Sequence, residues 1–404
     1  MKKIIVIGGG PAGMISAIIS ARNGNTVIIL EKNEKLGKKL YITGKGRCNL
    51  TNNSTVDEVL DNVITNSNFV KPAIEKFPPA DVISFFEELG LSLKTERGKR
   101  VFPSSDKASD VTKVLEKELK NLKINVKFNT NVTDLIIKDK KIVGVATNKG
   151  DFNCDSVVIA TGGISYPTTG STGDGYVFAK KCGHKIKDVV PALNGIVCKY
   201  PIKNANNLTL KNVTLTAKKS DRLLYTEQGE LMLTDYGISG PIGITCSSYI
   251  NRQDLLNVKL YVDFKPALSN EKLFTRISTD FEQNYGFIKD VLRKLLPKEV
   301  ILPILQKAGI YTNKDVKQVT KQEIIKLVDN LKGYVLLPTG LRDIKEAIVT
   351  AGGVDVSNIN RDTLESKIIK GLFFAGEVLD IDALTGGFNI QIALSTGYVA
   401  GCNA

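Results

Sequence analysis

The chain opens on four consecutive aliphatic residues, Ile4-Ile5-Val6-Ile7, followed by Gly8-Gly9-Gly10-Pro11. A continuous apolar run this short predicts a strand buried on both faces, as in a parallel sheet. Met14–Arg22 then predicts a helix stopped by Asn23-Gly24, and Thr26–Leu30 a second buried strand ending at Glu31. Together they make a βαβ unit of about 30 residues. Val82, Phe85, Phe86 and Leu89 recur at helical spacing, as do Val111, Val114, Leu115, Leu119 and Leu122. Ile124–Phe128, Val132–Ile137 and Lys141–Thr147 predict strands, the last two joined by a turn at Asp139-Lys140. Val157–Ala160 is another wholly apolar strand, running into Thr161-Gly162-Gly163.

The texture then changes. Leu208, Leu210, Val213 and Leu215 interleave with Thr and Lys, the period-two pattern of a half-buried antiparallel sheet. From about Leu268 to Leu331 the pattern is helical and Lys-rich, broken at Pro297 and Pro303. After Gly353 a buried strand returns at Leu372–Ala375, followed by Gly376-Glu377, and a last helix is expected over Gln391–Ala400. The simplest layout is an α/β domain made from both chain ends (1–190 plus 354–404). A β-rich insert (191–267 plus 332–353) interrupts it and carries a helical insert of its own (268–331).

With 404 residues, 42% hydrophobic and 24% charged, the composition is that of a globular protein and excludes disordered, collagen-like and coiled-coil chains. Lys and Arg number 55 against 42 Asp and Glu, a net charge of +13 that favours anionic partners such as phosphates. The lysines are spread along the chain and Trp is absent. The basic patch interleaved with aromatics that marks a nucleic-acid binder is therefore not read here, and nucleic acid is not an expected partner. None of the six cysteines forms a C-x-x-C pair, which points to reduced thiols in a cytoplasm. A single histidine, His184, excludes multi-His metal sites, so no metal is expected; flanked by lysines, it reads as a surface residue. The uncharged stretch Ile4–Ala21 imitates a leader or membrane anchor, but Gly8–Pro11 interrupts it, and a protein without membrane contact is expected.

Candidate chemistry begins at Gly8-x-Gly10-Pro11-Ala12-Gly13, placed directly after a strand and opening a helix. Gly8 permits the tight turn, Gly10 lets the backbone approach a pyrophosphate, and Gly13 lets helix and strand pack closely. The helix start offers free N–H groups and a positive dipole. Glu31 ends the second strand where a carboxylate binds a ribose 2′-OH, which disfavours a 2′-phosphate. These residues alone do not choose NAD from FAD. Further points of ligand approach do. Lys39, Arg47, Cys48 and Asn49 sit among Gly37, Gly44 and Gly46. Thr161-Gly162-Gly163 follows the third strand and Gly376-Glu377 the fourth, while Gly387, Asn389 and Ile390 open the last helix. Approach points spread so widely over strand ends suit a long two-part cofactor, and FAD is one.

Several motifs are familiar together: Ile-Gly-Gly-Gly-Pro-Ala-Gly (7–13), Gly-Lys-Gly-Arg-Cys-Asn-Leu-Thr-Asn (44–52), Ala-Thr-Gly-Gly-Ile-Ser-Tyr-Pro (160–167), Gly-Ser-Thr-Gly-Asp-Gly-Tyr (170–176) and Phe-Ala-Gly-Glu-Val-Leu-Asp through Asn-Ile-Gln (374–391). Over nearly the whole chain they resemble a family of bacterial flavoproteins that includes aminoacetone oxidase-like enzymes and the 3-dehydro-bile acid Δ4,6-reductase. The resemblance implies a glutathione-reductase-like, Rossmann-type FAD domain with a β-barrel-like insert and a small helical subdomain. It also implies FAD contacts at Gly8–Gly13, Glu31, Lys32, Arg47, Asn49, Val132, Gly162, Gly376, Glu377 and Gly387–Ile390. Relatives often read Phe-Thr-His-x-Gly-x-Ser-Gly-Pro where this chain has Leu233-Thr234-Asp235-Tyr236-Gly237-Ile238-Ser239-Gly240-Pro241, so no acid–base role carries over to Asp235 by resemblance.

The function expected is that of an FAD-dependent oxidoreductase moving hydride through flavin N5 to or from a small organic substrate. An NAD(P)H-dependent reductase of steroid-like enones and an RNA-binding flavoprotein are the alternatives. No second complete G-x-G-x-x-G βαβ unit is present, so a nicotinamide donor would dock transiently. Tyr166, Asp174, Asp235 and Tyr236 are the candidate proton donors.

Overall fold

The computed structural model describes residues 1–404. They divide into two compact units, Met1–Pro191 with Ile344–Ala404, and Ala192–Asp343. In the first unit, strand β1 (Lys3–Ile7) leads through the glycine turn into helix α1 (Pro11–Arg22) and strand β2 (Thr26–Leu30). Strands β3 (Asn125–Lys127), β4 (Ser156–Ile159) and β5 (Leu372–Phe374) complete a five-stranded parallel sheet in the order β5-β4-β1-β2-β3. Strands β4, β1 and β2 are the central ones, and the apolar β5 lies at one edge. Ile4 lies opposite Ser156 on one side and Val27 on the other, and Ile4, Ile5 and Val6 are fully buried.

Helix α2 (Asp174–Lys181) follows β4, and helix α3 (Phe388–Asn403) closes the chain. Both α1 and α3 are apolar on nearly all sides and buried accordingly. This explains the uncharged N-terminal stretch: it is a central strand followed by a core helix. No helix is long and apolar enough to cross a membrane. α1 and α3 cross with backbones nearly touching. A Cβ on Gly397 would strike the carbonyl of Ala12, and one on Gly401 would lie 2.5 Å from the carbonyl of Ser16. The predicted turn at Asp139-Lys140 has both residues at positive φ (50° and 56°), which fits a two-residue type I′ hairpin linking strands Val132–Lys138 and Lys141–Thr147.

The first unit resumes at Ile344 and not at 354. Gly352-Gly353 reads as a break in sequence, yet both lie inside strand Val349–Val354, which pairs with Ile186–Ala192. Gly352 is at φ +93°, where a Cβ would collide with the carbonyl of Asp188. His184 is also placed differently from expectation. It is 3% exposed, its Nε2 lies 2.8 Å from Ser366 Oγ, and its ring meets Phe374 edge-on at 4.9 Å. The lysines flanking it turn outward while the imidazole packs beneath β5.

In the second unit a seven-stranded antiparallel sheet runs Tyr334–Leu336, Val258–Asp263, Leu208–Lys219, Arg222–Leu233, Gly237–Ser239, Ile196–Cys198, Pro338–Leu341. Its two edge strands are consecutive in the chain, separated by Leu337 alone, which gives the sheet its barrel-like curl. The helices of 268–331 do not form a third unit. The apolar stripes of Asn270–Gln283 (Leu273, Ile277, Phe281) and Lys321–Lys332 (Leu327, Leu331) share one core with Val258, Leu260 and Val262 of the sheet.

Burial lowers the pKa of His184 from its ordinary 6.5. The unfolded chain therefore binds this proton first as pH falls, and the stability of the neutral form, present above about pH 6.5, is lost below it. Thermal unfolding followed from about pH 7.5 to 5 should show a fall in midpoint that is shallower in His184→Gln. Gly397→Val should destabilise the fold by roughly 2 kcal/mol or more, read by urea unfolding, because the backbone of α1 blocks the new side chain.

Candidate functional site

The glycine turn after β1 shows three separate reasons for glycine. Gly8 is at φ +103°, and a Cβ there would lie 2.5 Å from the carbonyl of Ala160. A Cβ on Gly13 would collide with the Gly8 carbonyl. At Gly10 a Cβ would meet nothing within 4 Å, so this glycine faces open space. α1 has no side-chain cap, and its first internal bond is Met14 N–H to the Gly10 carbonyl at 2.9 Å. The N–H groups of Ala12 and Gly13 are therefore left for an acceptor outside the helix. Pro11, at the first helical position, has no N–H to leave unpaired.

Glu31 is 6% exposed and closes the turn. Its Oε2 accepts from Gly9 N at 2.7 Å, while Oε1 accepts from Asn33 N at 2.8 Å and Asn33 Nδ2 at 2.7 Å. Oε2, with one donor, retains capacity for a hydroxyl. Gly9 and Asn33 are thus part of the site, although neither stood out in the sequence.

A second constellation links four distant segments. Lys39 Nζ donates to Ser165 Oγ at 2.6 Å and to Glu377 at 2.7 and 3.0 Å. Glu377 Oε1 also accepts from Thr350 N at 2.8 Å. Thr350 Oγ1, fully buried, accepts from Ile164 N at 3.0 Å and Ser165 N at 3.1 Å. Thr350 therefore holds the loop that begins at Thr161-Gly162-Gly163, and a Cβ on Gly163 would run into its side chain. Thr350 belongs to no motif, and Ser165, though inside the 160–167 motif, carries no signal in the sequence that singles it out.

The buried polar atoms of this unit that have no hydrogen-bond partner include Asn49 Oδ1, Thr161 Oγ1 and the Tyr176 hydroxyl. Burial, with Glu377 and Asp380 close by, pushes the Tyr176 phenol far above its usual range. The N-terminus of α3 resembles that of α1. Gly387, at φ +100°, caps it without a side-chain bond, and the first internal bond is Gln391 N to the Gly387 carbonyl at 3.0 Å. The N–H groups of Asn389 and Ile390 are left unsatisfied by the helix. The Asn389 amide side chain is occupied, accepting from Ala383 N and donating to the carbonyls of Ala383 and Leu384. Gly376 sits at φ +77° with its N–H on Thr396 Oγ1.

Other expected residues have different engagements. Arg47 bonds Glu96 and Asp106, both at 2.5 Å, and lies 4.2 Å above the Phe102 ring. Cys48 is fully buried, and desolvation pushes its thiol up to about 12, so it is not a thiolate at neutral pH. Lys32 pairs with Asp174 at 2.7 Å and bonds Thr172, which pins the start of α2. Asp174 is thereby an ion-pair partner within the first turn of that helix. Val132 is a buried strand residue. Tyr166 is left-handed (φ 51°), its N–H donating to the Lys345 carbonyl at 3.1 Å. Asp235 and Tyr236 lie in the second unit, in the tight turn closed by Thr234 and Gly237, with Arg342 4.8 Å over the Tyr236 ring. The four candidate proton donors are thus split between the two units.

Thr350→Val removes the acceptor of two buried N–H groups while keeping the side-chain shape. It should cost about 1–3 kcal/mol in denaturant unfolding, and Thr350→Ser should recover most of that loss.

The chain matches the family described as HI0933-like protein Rossmann domain over residues 2–403. It is 32% identical to the 3-dehydro-bile acid delta(4,6)-reductase of Clostridium scindens, the alignment covering 99% of this chain and 98% of that protein. It is 28% identical to a ribosomal RNA dihydrouridine synthase of Haemophilus influenzae, over 98% of this chain and 96% of the other. Among solved structures, the 3-ketosteroid delta1-dehydrogenase of Sterolibacterium denitrificans has the same fold, with a TM-score of 0.54 at 13% identity, over 99% of this chain and 98% of that one. The chain belongs to the HI0933-like Rossmann-domain family, and it is an oxidoreductase of Rossmann type.

Proposed function

We propose that this chain binds FAD and reduces a carbon–carbon double bond conjugated to a carbonyl in a small organic substrate. The observation that carries the cofactor is the pair of glycine-led, uncapped helix N-termini in one unit, at α1 and α3, together with the unpartnered Asn49 Oδ1. These features fit a long ligand with a diphosphate and a polar ring. Bound FAD supplies two-electron hydride chemistry through N5 of its ring.

The chain's own residues bind, orient and balance charge. The N–H groups of Ala12 and Gly13 receive the diphosphate, and Glu31 Oε2 accepts from a ribose hydroxyl. The N–H groups of Asn389 and Ile390 would stabilise negative charge on the bound ring, and Asn49 Oδ1 would be available to accept from a donor of the cofactor. Lys39 and Glu377 neutralise each other, which keeps the loop at Thr161–Gly163 in place without adding net charge beside the ring. All six cysteines are free, which supports a reducing, cytoplasmic compartment.

The full-length resemblance to a bile-acid reductase supports the reaction direction. NADH or NADPH is the proposed donor, docking transiently. A second reading has a basis of its own. Relatives named ribosomal RNA dihydrouridine synthase, from Haemophilus influenzae and Escherichia coli, match 98% of this chain. Reduction of uridine to dihydrouridine acts on the same motif, a double bond beside a carbonyl.

The purified protein should be yellow, bleach anaerobically with NADH or NADPH, and regain colour on adding an enone. A preparation that stays colourless with excess FAD would end the reading, and bleaching by an amine alone would favour an oxidase. Gly10→Ala should leave the flavin-free thermal midpoint unchanged, since its Cβ enters open space, yet weaken FAD binding at least about tenfold in fluorescence titration.

A further inference from the structure

The cations that enter the cofactor site are paired, but two on the hairpin beside it are not. The strands of this hairpin, Leu93–Glu96 and Arg100–Pro103, are joined by Arg97-Gly98-Lys99, with Gly98 at φ +76° and Lys99 at +59°. Arg100 and Val101 pair in turn with Asn52 and Thr51, and Leu50 N donates to the Val101 carbonyl at 2.8 Å. The hairpin is thus in register with the segment that follows Asn49, whose buried Oδ1 has no partner. The same segment abuts the start of α3, since a Cβ on Gly387 would lie 2.4 Å from the Thr51 carbonyl. Asn52 Nδ2 completes the tie, donating to the Gly98 carbonyl at 3.1 Å and to the Gly386 carbonyl at 3.0 Å. A single amide nitrogen therefore joins the hairpin tip to the turn that opens α3.

Charge at this tip is unbalanced. Arg47, Lys94, Arg97, Lys99 and Arg100 stand against Glu58, Glu96 and Asp106, and all three carboxylates are taken. Arg47 and Lys94 share Glu96 and Asp106, and Lys99 holds Glu58 at 2.7 Å. Asp57 and Asp61, on the adjoining helical turn (Val56–Leu60), form no ion pair with Arg97 or Arg100. Glu96 lies directly across the ladder from Arg100, yet its carboxylate is turned to Arg47. Arg100 instead folds back over the turn, its Nε donating to the Arg97 carbonyl at 3.1 Å. Both arginines are exposed, so two guanidinium groups share one tip with N–H donors to spare.

We propose that Arg97 and Arg100 hold a phosphate of the nicotinamide dinucleotide that docks as electron donor, an inference that rests on the donor proposed above. The chain has no second glycine-rich βαβ unit to receive that donor, so its phosphates need side-chain cations beside the ring end of the site. A planar guanidinium meets phosphate oxygens through two parallel N–H bonds, and a pair of them suits a group carrying more than one negative charge. The FAD diphosphate is served by the backbone N–H groups of α1, which leaves these two side chains unused. The tie through Asn52 fixes their position, so the hairpin presents its cations without having to be ordered by the donor.

The test uses the full-length, flavin-loaded protein and titrates it by calorimetry with NADP+ and, separately, NAD+, neither of which can reduce the flavin. Saturable binding of NADP+ that weakens as salt rises from about 50 to 200 mM is expected. Arg97→Gln with Arg100→Gln should weaken it at least about tenfold and raise the NADPH concentration for half-maximal bleaching in step. Flavin content, thermal midpoint and the rate at which an enone restores the colour should not change, because both side chains are exposed and lie outside the flavin's own contacts. An equal loss for NAD+ would assign the arginines to the diphosphate, and a loss confined to NADP+ to the 2′-phosphate; either result supports the proposal. No saturable binding of either dinucleotide by the yellow wild type, unaltered affinity in the double variant, or a defect confined to the enone step would each overturn it. A protein that stays colourless with excess FAD would instead end the cofactor reading, so the two failures are read apart.

Discussion

Helices α1 and α3 meet backbone to backbone, and the organisation of the first unit depends on that crossing. Gly397 and Gly401 have no Cβ because the carbonyls of Ala12 and Ser16 occupy the space. α1 is made near one end of the chain and α3 at the other. Their close approach holds both termini of the polypeptide in one layer against the sheet. It also places the turn at Gly376 against α1, where a Cβ would come within 2.9 Å of the Ala12 side chain, and brings its N–H to Thr396. Two helix N-termini with free N–H groups therefore belong to one rigid element pair.

Electrostatics follow a similar economy. The chain carries a surplus of +13, yet the cations nearest the site are spoken for. Lys39 answers Glu377, Lys32 answers Asp174, and Arg47 is shared by Glu96 and Asp106. The site's attraction for an anion thus comes from backbone N–H groups and helix dipoles more than from side-chain charge. Being built into the backbone, those dipoles need no flexible side chain to be ordered when a ligand arrives.

The position of Thr350 shows how a residue outside every motif can matter. Its hydroxyl accepts two successive N–H groups from the loop after β4, and its own N–H donates to Glu377. Two motif segments are thereby held by one residue that was unremarkable in the sequence. The same long-range pairing explains the misplacement of His184. Its lysine neighbours give a polar local average, while Phe374 and Ser366, nearly 200 residues away, form the pocket that takes its ring.

Local patterning was sufficient for the central strands, the glycine turn, the amphipathic helices and the hairpin at Asp139-Lys140, because each depends on spacing within a few residues. Glycine positions were legible for the same reason: the conformation they permit is a property of the residue itself. Which carboxylate Arg47 meets, whether the helices of 268–331 stand apart or join the sheet's core, and where the first unit resumes were decided only in three dimensions. Those outcomes depend on contacts between segments far apart in the chain, and a single sequence read along its length carries no distance between them.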